Sequence, residues 1–108
     1  VTPAGQPKML SNDGYPVVGS NGQVGTNQWV HIALVRNSTA LTLYVNGTSV
    51  GTGTNSSTFS GTSYVGAENY ASTIYITAAA YIDDFRITKG YARYTTTFTP
   101  PTSAFPTY

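Results

Sequence analysis

Eight consecutive residues, WVHIALVR at positions 29–36, are apolar on both sides of an extended chain, and no other stretch narrows the choice of fold as much. Successive side chains of a strand point to opposite faces, so Trp29, Ala33 and Val35 share one face and Val30, Ile32 and Leu34 the other. Such a strand belongs in the middle of a structure, covered on both faces. Asn37, Ser38 and Thr39 then supply turn chemistry, and LTLYVN at 41–46 alternates with Leu41, Leu43 and Val45 on one face. The two runs are predicted to form a hairpin. Asn46 and Gly47 both tolerate positive φ and predict a second hairpin into a polar strand near 49–53, which makes a three-stranded meander.

The flanking chain is less regular. Residues 1–27 carry Pro3, Pro7 and Pro16 with scattered glycines, and are read as loops around brief strands near Met9 and Val17. Residues 54–63 are nearly all Asn, Ser, Thr and Gly, which bury little and predict a surface connection around Phe59. Short strands are expected at 64–67 and 74–77. AYIDDFRIT, at 80–88, alternates again with Tyr81, Phe85 and Ile87 on one face and is expected to be the second strong strand. YARYT is predicted to make one helical turn, and the proline-rich residues 98–108 an extended tail that lies along a neighbour or back across its own sheet.

Composition restricts the function. The 108 residues suit a single domain with one modest core, and charged residues form only 8% of them, against roughly 25% in typical domains. A net charge of +1 from five Lys and Arg leaves no basic stripe for a phosphate backbone, so nucleic acid is not an expected partner. No apolar run approaches the roughly 18 residues that span a bilayer, so membrane insertion is not expected either. With no cysteine, disulfides and thiolate zinc sites are excluded, and packing with backbone hydrogen bonds must hold the fold. The chain starts at Val1 and its single methionine is Met9, which suggests a processed chain or part of a longer protein.

Three pieces in this order, WVHIALVR with LTLYVNG, then YIDDFRITKGYARY, then FTPPTSAFP, closely resemble the laminin-G-like branch of the concanavalin-A-like lectin and glucanase jelly rolls. The likeness covers residues 28–106. Its closing segment looks like versions in bacteriophage structural proteins, where such domains sit in tail fibres, receptor-binding structures or capsid decorations, and the lack of cysteine tilts the source the same way. The resemblance implies an all-β fold, an antiparallel β-sandwich of jelly-roll type spanning residues 1–108, often used to bind carbohydrate or host surfaces. Relatives usually supply more strands before the tryptophan-bearing one, so the sandwich is expected to be a compact variant or to be completed by another chain.

Some proteins of this fold hydrolyse β-glucans, which takes two carboxylates flanking the scissile bond. The only glutamate is Glu68, with no acid two or four positions on, and Asp83 and Asp84 are adjacent, so a strand sends them to opposite faces. No catalytic residue is assigned. Trp29 and the sole histidine, His31, are read as core or half-buried side chains. Asp83 stands in an apolar row, and its plainer reading is a buried carboxylate paired with an arginine such as Arg93. The functional reading makes Asp83 and Asp84 Ca²⁺ ligands with Glu68 or Asp13, although no dedicated calcium-loop spacing is present. Calcium aside, no cofactor is expected. Sugar contacts are sought in Asn69, Tyr70, Tyr91, Arg93 and Tyr94, because an aromatic face stacks on a pyranose while Asn or Arg bonds its hydroxyls. The same tyrosines would equally serve a subunit contact. Asn-x-Ser/Thr triplets at Asn37, Asn46 and Asn55 are expected by chance in a chain this rich in Ser and Thr.

The expected function is a non-catalytic virion structural or adhesin module, in a virion or extracellular, which assembles with other subunits, as a homo-oligomer or in a particle, and binds surface carbohydrate. The alternative is a free-standing carbohydrate-binding module of a secreted bacterial protein, with a degenerate hydrolase third.

Overall fold

The computed structural model describes residues 1–11, 14–76 and 79–106. Seven strands and no helix make up the described regular structure: β1 (Lys8–Ser11), β2 (Gly14–Val18), β3 (Ile32–Asn37), β4 (Ala40–Val45), β5 (Thr48–Thr54), β6 (Ala67–Tyr70) and β7 (Thr73–Ile76). All pairings are antiparallel, in a β1-β2 ribbon, a β3-β4-β5 sheet and a β6-β7 ribbon. The all-β, antiparallel character expected from the sequence is therefore present.

The central meander forms where turn chemistry predicts it. Two-residue turns join β3 to β4 at Ser38-Thr39 and β4 to β5 at Asn46-Gly47, with positive φ at Ser38, Asn46 and Gly47. One face of the sheet carries Leu41 and Leu43, buried with Val17 of β2, and Met9 and Val50 pack against them. That core exists because the β2 backbone lies directly on β5. A Cβ on Gly53 would overlap the Pro16 carbonyl, and one on Gly51 would sit 2.7 Å from the Val18 oxygen. Glycine at these two positions lets the layers meet without a side chain between them. A register shift between Leu43 and Tyr44 adds one residue to β5, as a bulge does, in the stretch that holds Val50.

The opposite face is covered by the C-terminal stretch. Tyr44 is buried and meets the Phe98 ring edge-on at a centroid distance of 5.4 Å, while Tyr94 stacks on Phe98 at 3.6 Å with the planes 6° apart. The start of the tail thus rests on the sheet at Phe98 and Pro100, while Phe105 lies against the 84–86 loop. Gly47 sits beneath it, accepting a 3.1 Å hydrogen bond from the Phe98 amide, and a Cβ there would overlap the Phe98 carbonyl.

Several expectations are corrected. Trp29 precedes β3 and is 72% exposed, not core. β3 is an edge strand: Val35 on the tail-covered face is buried, but Ile32 and Leu34, whose register places them on the Leu41 and Leu43 face, are 42% and 45% exposed because the β1-β2 ribbon covers β4 and β5 and stops short of β3. The short strand expected at 64–67 begins only at Ala67, and that expected at 74–77 spans Thr73–Ile76, with Thr77 outside the described residues. Residues 80–88 form no strand and 91–95 no helical turn. Alternation prepares a segment for a sheet, but ladder hydrogen bonds need a neighbour, and among the described residues no strand pairs with 80–88.

Candidate binding surfaces

Of the sugar-contact residues expected from the sequence, two lie on β6 and three in residues 91–94. Asn69 and Tyr70 are consecutive on β6 and so stand on opposite faces of the β6-β7 ribbon. That ribbon turns at Ala71-Ser72, both with positive φ although neither is glycine, a conformation that costs about 1 kcal/mol or more per residue. The Arg93 guanidinium lies 5.5 Å from the centre of the Tyr91 ring, and its Nε donates to the Thr88 hydroxyl at 3.0 Å. Tyr94 instead belongs to the Phe98 stack and lines a small hollow with Val35, Asn37, Ala40, Thr42 and Thr95. Among the described residues, no aromatic or cation–π contact joins Tyr70 to Tyr91, Arg93 or Tyr94.

The acidic residues are also dispersed. Asp83 is exposed, not buried with Arg93, and its Oδ1 accepts from the Asp84 amide at 2.8 Å. Asp84 has a φ of 51° and accepts from the Phe105 amide at 3.3 Å, which ties this loop to the tail. Beside it the Arg86 guanidinium covers the Phe105 ring at 3.8 Å. Glu68, proposed to join the aspartates around Ca²⁺, points elsewhere: Oε2 lies 3.6 Å from the Lys8 ammonium and accepts the Tyr15 hydroxyl at 3.2 Å. Among the described residues no three His, Asp or Glu side chains gather into a metal-binding group, and Asp13 lies outside them.

His31 is half-buried, as expected. Its ring meets Phe98 and Tyr94 edge-on at 5.5 and 6.2 Å, and its Nδ1 is buried with no hydrogen-bond partner among the described residues. Burial holds the imidazole below the usual histidine range, because the charged form would lose water without gaining an acceptor.

A groove that sequence reading missed opens at the far end of the β3-β4-β5 sheet. It is a wide, open depression of about 580 Å³ lined by Thr39, Thr54, Asn55, Ser56 and Ser57. The Asn55 amide donates to the Thr39 carbonyl at 2.8 Å, and the Asn55 side chain accepts the Ser57 amide at 2.8 Å. Arg36 fastens both sides, donating from Nε to Ser38 O at 2.8 Å and from Nη1 to Ser57 O at 2.6 Å, and its guanidinium sits 4.9 Å from the centre of the half-exposed Phe59 ring. The signal in the sequence was the run of hydroxyl residues around Phe59, which alone also describes any polar loop.

Exposed apolar side chains gather in the sequence around β7 and in residues 81–87. Ile76, Tyr81 and Ile87 are 80%, 91% and 76% exposed, and Ile74, Tyr75, Ile82 and Phe85 are each at least half exposed.

The family model described as the concanavalin A-like lectin/glucanases superfamily, laminin G type, matches residues 1–93. No curated protein and no solved structure matches the chain. The matched span takes in β1 to β7 and reaches Arg93, so it includes the N-terminal ribbon and leaves out the tail on which the sequence resemblance partly rested. With most of the chain inside the match and an antiparallel all-β fold to accompany it, the protein belongs to the concanavalin A-like lectin/glucanase superfamily.

Proposed function

We propose that this chain is a non-catalytic structural or adhesin module of a virion or other extracellular assembly, which associates with further copies of itself and binds carbohydrate. The observation that carries the reading is the set of exposed apolar side chains at Ile74, Tyr75 and Ile76 of β7 and at Tyr81, Ile82, Phe85 and Ile87 beyond it. Monomeric proteins rarely leave a large contiguous apolar patch in water, and a two-stranded ribbon such as β6-β7 is marginal unless something packs on it. Residues 80–88 keep the alternation of a strand, β3 presents an open edge, and few charges guard either. A second copy supplies what each lacks. The non-catalytic part rests on the acids: Glu68 is engaged by Lys8 and Tyr15, and Asp83 and Asp84 are neighbours on an exposed loop.

The test is the mass in solution, by light scattering, of the wild type and of an Ile82→Ser, Ile87→Ser double variant. Both positions are exposed, so the substitutions spare the core. The reading expects the wild type to exceed the 11.4 kDa of one chain and the variant to approach it. A wild-type monomer at all concentrations would reject assembly. It would favour the second reading, a free-standing carbohydrate-binding module of a secreted bacterial protein, which the hydroxyl-lined groove supports.

A further inference from the structure

We infer that the groove between the β3-β4 turn and the end of β5 is a saccharide site, and that it selects sugars bearing a carboxylate. This rests on the carbohydrate-binding part of the function proposed above and names its place and ligand class. Three features carry it. The lining presents the exposed hydroxyl residues Thr39, Thr54 and Ser56, and a hydroxyl exchanges hydrogen bonds with a polyol in both directions. The walls are held before any ligand arrives, by the Asn55 to Thr39 bond and the two Arg36 bonds, so little ordering is lost on binding. Phe59 is half exposed and holds Arg36 against its ring, and Arg36 in turn bonds the carbonyl of the lining residue Ser57, so behind the lining the arginine brings with it an apolar ring of the kind that packs on the C–H side of a pyranose.

The charge decides the class of sugar. Arg36 spends two of its five N–H donors on carbonyl oxygens, and among the described residues no carboxylate pairs with it. A guanidinium with donors in hand and no counter-charge matches a carboxylate in geometry and in sign. A neutral sugar uses the hydroxyls and the ring alone, whereas a uronic acid uses the arginine as well.

The probes are trigalacturonate and its methyl ester, which share one carbon skeleton and differ in charge. Amide NMR shifts are followed during titration of the wild type, Arg36→Gln, Phe59→Ala and Thr54→Val. We expect shifts centred on residues 39 and 54–57, with the acid bound about tenfold more tightly than the ester, as a charged hydrogen bond warrants. Arg36→Gln should erase that preference. Phe59→Ala and Thr54→Val should weaken both probes while the preference survives. Equal binding of acid and ester in the wild type would overturn the carboxylate selection. Shifts confined to Tyr70 or to 91–94 would overturn the site and leave carbohydrate binding standing, and no shift with either probe at millimolar concentration would overturn the inference for this class of sugar. If Arg36→Gln fails to fold, the wild-type comparison of acid with ester and the Phe59 and Thr54 variants still decide.

Discussion

Phe98→Ala is the perturbation with the most to say about how the chain is held together. Phe98 closes one face of the sheet with a single ring, stacked on Tyr94 and edge-on to Tyr44 and His31. Full burial of a phenylalanine contributes roughly 1.5–3 kcal/mol, and this ring is only partly buried, so about 1–2 kcal/mol follows from area. The two edge-on contacts add roughly 0.5–1.5 kcal/mol each, and a total near 2–5 kcal/mol lowers Tm by roughly 10–20 °C in a domain of this size. The substitution also has a pH signature. Burial lowers the folded-state pKa of His31, so the unfolded chain takes up its proton more readily. The stability involved is fully present above the ordinary histidine value of about 6.5 and is lost as pH falls through the lowered folded value. Removing Phe98 opens His31 to water and should flatten that dependence. Urea unfolding of both proteins between neutral and mildly acid pH measures both effects. An unchanged Tm, or a wild-type and variant whose stabilities run parallel with pH, would refute the claim that the tail seals this face.

Gly53→Ala sets a methyl group against the Pro16 carbonyl, so β2 must lift from β5; hydrogen exchange at the Val17 amide should accelerate, and exchange as slow as in the wild type would contradict the close approach. Leu41→Ala empties the middle of the core and should cost about 2–5 kcal/mol by denaturant unfolding, with no loss refuting its place there. Glu68→Gln breaks the contact with Lys8 and should cost less than about 1 kcal/mol while leaving sugar binding intact. Release of reducing sugar from a β-glucan by the wild type, abolished in that variant, would end the non-catalytic reading.

What the sequence discloses here is local. Asn46-Gly47 and the alternation of Leu41, Leu43 and Val45 specify a hairpin through neighbouring residues, and the hairpin is there. The brief strands near Met9 and Val17 follow from proline and glycine spacing in the same way. Trp29 and residues 80–88 were misplaced for one reason: periodicity says which side chains share a face, but not whether anything exists to cover it. The tail's return to the sheet depends on Tyr44 meeting Phe98 across more than fifty residues, and no local pattern encodes that. The expected sugar contacts, Asn69 and Tyr70 with Tyr91, Arg93 and Tyr94, rest on residue type, and type does not show which face of a strand a side chain takes or that Tyr94 stacks on Phe98. The groove escaped because hydroxyl residues in a loop look alike until Arg36 and Asn55 tie their backbone into walls.

Under the proposed assembly a second copy of the chain covers residues 80–88, and hydrogen exchange of their backbone amides as a function of protein concentration tests this. In dilute solution the segment should exchange quickly, since among the described residues it has no strand partner. As concentration rises and the mass grows, amides at alternate positions from Tyr81 to Ile87 should become protected together with the open edge of β3, as a new antiparallel ladder requires. Rapid exchange across 80–88 at every concentration, with the mass remaining that of one chain, would contradict the account.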